Sequence, residues 1–107
     1  MPIITARNTL MAMWPLVYKA RSRALSEAEA TEIRRLCEVL QTNTPGKSDY
    51  DEAVDDLCMS LHSSRIFEGD PTSADVISHK IDHLHELLNH MDANQQRANP
   101  YSSNTQT

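Results

Sequence analysis

The stretch from Thr72 to Asn94, TSADVISHKIDHLHELLNHMDAN, constrains the fold more than any other part of the chain. Val76, Ile77, Ile81, Leu84, Leu88 and Met91 recur at steps of three and four, with Leu87 on the margin. That is the period of a helix with one buried face. Such a stripe demands partners of the same kind, and the rest of the chain supplies them.

A helix is predicted from Ser26, where Ser26 and Glu29 form a capping box with Leu25 as the hydrophobic residue before it. Its stripe is Ile33, Leu36, Cys37 and Leu40, and it ends near Gln41, before the turn composition Thr42-Asn43-Thr44-Pro45-Gly46. A further helix starts at Ser48, with Tyr50, Val54, Leu57, Cys58 and Leu61 inward and Asp51, Asp55 and Asp56 toward water. The long helix then begins at Asp70 or at Thr72, the latter with Asp75 as an acidic capping box. The N-terminal part is harder. Met1 to Asn8 reads as a lead-in, and a first helix is expected from Leu10 with Asn8 or Thr9 as its cap. Pro15 would kink that helix or restart it, because proline lacks the backbone donor and disfavours helical geometry at Trp14.

No run of alternating β-branched or aromatic residues signals a strand, and there is no internal repeat. The expected fold is therefore all-α, a small irregular bundle of three to four helices. Residues 1–94 are expected to form a single helical domain, and 95–107, polar and without apolar period, a disordered tail. Leu, Ile, Val and Phe make up only 21 of the 107 residues. A core that thin is expected to be completed by association, with a homodimer as the first expectation.

The formal charge of −5 with no basic run makes direct nucleic-acid binding a poor expectation, since phosphate contacts need clustered Lys and Arg. Arg21, Arg23, Arg34 and Arg35 form at most a small basic patch, diluted by Glu27, Glu29, Glu32 and Glu38. Cys37 and Cys58 both lie on apolar stripes and read as reduced core residues in a cytoplasmic protein. A hairpin pivoting at Pro45-Gly46 would place Cys58 nearer Thr31 than Cys37, beyond disulfide reach. The longest apolar run, Leu10 to Tyr18, is too short to span a bilayer and contains Pro15.

Two constellations carry functional expectations. Met11, Trp14, Leu16, Val17 and Tyr18 are soft or aromatic residues of the kind that anchor partner surfaces, with Ile66 and Phe67 as a second patch. His79, His83, Glu86 and His90 fall within about 60° of one another around the helix axis, about 130° from the apolar centre. Imidazole and carboxylate one turn apart can chelate a divalent metal, although one helix rarely supplies a whole site. Otherwise no cofactor is implied. No nucleophile–base motif, Gly-rich phosphate loop, HExxH or CxxC is present, so no enzymatic activity is expected. The expected function is that of a regulator or adaptor that binds another protein through an exposed apolar surface and inhibits or modulates it. The form is similar to that of many bacterial or phage regulators that mask a transcription factor or an enzyme. A metal-binding protein using the histidine stripe is the alternative, and a nucleic-acid accessory protein the second.

Overall fold

The computed structural model describes residues 3–43 and 48–98, with side chains described for 3–43 and 49–93. Among these residues the chain forms four helices and no strand: α1 (Ile3–Ala20), α2 (Glu27–Thr42), α3 (Ser48–Ser63) and α4 (Pro71–Ala98). A single 3-10 turn, Ile66–Glu68, lies between α3 and α4. The helices close a ring in which α1 packs on α2 and α4, and α3 packs on the same two. Ion pairs show the antiparallel register. Arg7 meets Asp92 at 3.6 Å, and Arg21 meets Asp75, so α1 and α4 run in opposite directions. Lys80 meets Asp56 at 2.5 Å between α4 and α3.

The start of α2 forms as its sequence dictates. The Glu29 N–H donates to the Ser26 hydroxyl at 3.1 Å, and the Ser26 N–H donates to the Glu29 carboxylate at 2.9 Å. The same carboxylate accepts two bonds from the Arg23 guanidinium, at 2.9 and 2.8 Å, and one from Lys19 at 3.3 Å. Chiefly through Arg23, and then through Ser26, the Glu29 carboxyl is held well below the usual carboxylate range. Glu29 thus fastens the end of α1 to the start of α2. At α4 the cap is Asp70, not Thr72. Its carboxylate accepts from the Ser73 hydroxyl at 2.7 Å and from the Ser73 N–H at 3.2 Å. Pro71 occupies the first helical position, where its missing donor costs nothing.

Three expectations fail: the start of α1, the end of α4 and the separation of the two cysteines. Helix α1 begins at Ile3, not Leu10, and runs unbroken through Pro15. Proline deprives the Met11 carbonyl of its helical donor. Pro15 and Met11 both face outward, so the unpaired carbonyl lies on the side of the helix open to water. Helix α4 continues to Ala98, so residues 95–98 of the expected tail are helical; the remainder, 99–107, lies outside the described residues. Cys58 lies against Cys37, its thiol 3.8 Å from the Cys37 carbonyl oxygen. The α2–α3 register is displaced from the one a pivot at Pro45-Gly46 implies. Hydrogen bonding with the Cys58 thiol, and then burial, push the Cys37 thiol far up, so it stays protonated.

The core closes within one chain. Leu10, Met13 and Val17 of α1 meet Ile33 and Leu40 of α2, Tyr50, Val54, Leu57 and Leu61 of α3, and Ile77, Ile81, Leu84 and Leu88 of α4. All of these are buried without a second copy. The Tyr50 hydroxyl has no hydrogen-bond partner among the described residues, and burial followed by nearby Asp51 pushes its pKa up to about 12. Asp51, expected in water, has one carboxylate oxygen buried and unpartnered among those residues.

The two loops at one end of the bundle interlock. The Leu25 N–H donates to the Phe67 carbonyl at 3.1 Å. Gly69, at φ +81°, brings its backbone onto Arg23 and Ala24 so closely that a Cβ there would lie 2.5 Å from the Arg23 carbonyl carbon. Only glycine satisfies both the left-handed backbone and that approach.

Candidate functional site: the outward face of the first helix

An ordinary bundle helix is apolar on the core side and polar on the other. Helix α1 is not. Its core side carries Ala6, Leu10, Met13, Leu16, Val17 and Ala20. Its outward side carries Ile4, Met11, Ala12, Pro15 and Tyr18, with Asn8 and Lys19 as the polar members. Ile4, Met11 and Tyr18 retain 67%, 59% and 76% of their surface. A helix apolar all round is normally one covered on both sides. These three residues recur every seven positions, so they fall within about 40° of one another around the axis and form one straight seam.

Each cation beside the seam has an acidic partner within the chain, Lys19 sharing its Glu29 with Arg23. Arg7 pairs with Asp92 and Lys19 with Glu29. Beyond α1, Arg21 pairs with Asp75, Arg23 with Glu29 and Arg35 with Glu32, while the Arg34 guanidinium stacks over Phe67 at 4.6 Å. Each of the four arginines of the expected basic patch thus has a partner within the chain, three a carboxylate and Arg34 the Phe67 ring.

The structure divides the expected partner residues. Met11 and Tyr18 are exposed, and Trp14 is half-buried at the edge of the seam, packed against the core. Leu16 and Val17 are corrected to core residues. They lie on the opposite side of α1, as a step of about 100° per residue requires for neighbours of Tyr18 and Pro15. Ile66 is also core, fully buried beneath the loop, and Phe67 is half-buried with Arg34 over its ring. The second patch thus does not exist as an exposed surface. Ile4 lies in the lead-in that the sequence places before a helix beginning at Leu10, so sequence reasoning leaves it off the partner surface. The seven-residue spacing to Met11 and Tyr18 is the signal that marks it.

The histidine stripe lies on the outer side of α4, with His79, His83, Glu86 and His90 all exposed. Among the described residues, no three His, Cys, Asp or Glu side chains are placed to hold one metal ion. Instead His79 and His83 border a groove of about 580 Å³ between α3 and α4. Asp49, Glu52, Ala53 and Asp56 line its α3 wall, and Val76 and Lys80 complete the α4 wall. Val76, expected in the core stripe, is 44% exposed there. The groove is acidic on one wall, and its Asp56 is already paired with Lys80. His85, half-buried, lies apart from the stripe; burial, then the Arg7 charge, push its pKa down, with Asp82 opposing.

No helix among the described residues is long and apolar enough to cross a membrane. Comparison of the chain with protein-family models, with curated proteins and with solved structures finds no match.

Proposed function

We propose that this chain is a non-enzymatic interaction protein that docks onto another polypeptide through the outward face of α1 and thereby masks a surface of that partner. The observation that carries the reading is the seam Ile4–Met11–Tyr18, large apolar side chains held in water by a helix whose other side already fills the core. Large apolar side chains exposed in a line along one helix face mark a candidate protein-binding surface. Met and Tyr supply adaptable and amphipathic contacts. The partner face it suits is an apolar helix or groove, because three residues at seven-residue spacing match helix-in-groove recognition. The effect on the partner is steric, the covering of whatever that groove otherwise binds.

A photo-crosslinking amino acid placed at Met11 tests this in the native host. The expected result is a discrete covalent adduct with another polypeptide that disappears when Ile4→Gln and Tyr18→Gln are added. The same amino acid at exposed His90 should give no such adduct. Absence of an adduct from Met11, or an identical pattern from His90, would overturn the proposal.

A further inference from the structure

The outward seam of α1 has a symmetry that says more than that it is sticky. Ile4 and Tyr18 lie equally far from Met11 along the helix, seven residues to each side. Two copies of such a seam match when laid antiparallel, with Met11 at the crossing. Met11 then faces Met11 of the second copy, and each Tyr18 faces an Ile4, so the largest side chain is set against a smaller one in both outer layers. A seven-residue repeat is the condition for two helices to stay in register while packing at a shallow angle.

Charge selects the same arrangement. In the antiparallel register Arg7 lies opposite Pro15 and Lys19 opposite Ile3, so each cation meets an apolar residue. In a parallel pair Arg7 would face Arg7 and Lys19 would face Lys19, a like-charge juxtaposition that opposes association. The α1 segment contains no acidic residue that would relieve it. Opposed helix dipoles favour the antiparallel pair as well.

From these observations we infer that a second copy of this chain occupies the face, α1 against α1, antiparallel and two-fold symmetric about Met11. The inference rests on the reading of that face as an interface and names its first occupant. The area sets the strength. An 18-residue helix is about 27 Å long and, with its side chains, about 10 Å wide. One helix on one helix is at the low end of specific interfaces, below the ~800 Å² per partner of a standard complex. An interface that small suits a weak, reversible dimer, which a target with a deeper groove displaces.

Sedimentation across a concentration series, together with disulfide trapping, tests this. The full chain is expected to pass from monomer to dimer between roughly 1 and 100 µM, the range of a weak, reversible complex. The triple variant Ile4→Gln/Met11→Gln/Tyr18→Gln should shift that transition more than tenfold upward. The Met11→Cys variant should form a covalent dimer under mild oxidation. Ile4→Cys alone and Tyr18→Cys alone should not, because like positions lie about 21 Å from their symmetry mates along the axis. The double variant Ile4→Cys/Tyr18→Cys should. Native Cys37 and Cys58 are buried and do not compete. Trapping by Ile4→Cys alone would mean a parallel pair and overturn the inference. A chain that stays monomeric to ~1 mM would overturn it too. If the probe at Met11 still captured a different polypeptide, the interaction reading would stand without the dimer; if it captured nothing, both would fall.

Discussion

Replacing Gly69 by alanine is expected to lower the stability of the fold by about 3 kcal/mol, the sum of two costs at one position. A residue with a Cβ loses roughly 1–2 kcal/mol in the left-handed backbone region that Gly69 occupies at φ +81°. The new methyl would also lie 2.5 Å from the Arg23 carbonyl carbon and 2.7 Å from the Ala24 nitrogen. Both are backbone atoms that cannot swing aside as a side chain does. Relief requires the loop after α1 to part from the loop before α4. That in turn strains the bond from the Leu25 N–H to the Phe67 carbonyl, worth about 1 kcal/mol. Since small domains hold only ~5–15 kcal/mol in total, the melting temperature should fall by roughly 12 °C or more. Equilibrium unfolding in urea measures the loss; a change below about 1 kcal/mol would show that the loops are not interlocked as described.

Ile66→Ala is the second large effect, at about 3 kcal/mol. Ile66 is fully buried, and truncating a buried isoleucine to alanine costs roughly 2–5 kcal/mol, more where the surroundings cannot collapse into the space. Here they have little freedom, because the 3-10 turn that carries Ile66 is closed by the Gly69 N–H donating to the Ile66 carbonyl at 3.2 Å. The same substitution on a partner-binding surface would leave stability almost unchanged and weaken association instead. Thermal or urea unfolding of the isolated variant therefore separates the two roles. A loss under 0.5 kcal/mol, the scale of ordinary surface changes, would return Ile66 to the surface.

Much of the bundle was legible in the sequence because three helices have one apolar face each. The Ser26–Glu29 box, the stripe Ile33–Leu36–Cys37–Leu40, and Ile77, Ile81, Leu84 and Leu88 all follow from spacing and cap chemistry alone. Helix α1 was not legible in that way. With apolar residues on every side it has no period to tell inside from outside, so Leu16 and Val17 were grouped with Met11 and Tyr18 although the helix separates them. Pro15 hides the first turns, since a proline in a helix interior normally kinks or breaks it, whereas here the helix runs through it with the ring on the exposed side. The Cys37–Cys58 contact depended on the α2–α3 register, which loop composition does not determine. Val76 was read inward because it sits at the border of its stripe, where a shift of a few tens of degrees moves a side chain from core to groove.

The account turns on one division of labour in α1, in which one side belongs to the core and the other is free for another molecule. The Ile4→Gln/Met11→Gln/Tyr18→Gln variant, unfolded by urea at about 1 µM, tests it directly. Glutamine keeps helix propensity near that of the residues it replaces, and surface substitutions shift stability by no more than about 0.5 kcal/mol each. The unfolding free energy is therefore predicted to stay within about 1.5 kcal/mol of that of the native chain. A loss of about 4 kcal/mol or more, the sum expected of buried side chains, would place the seam in the core and contradict the account.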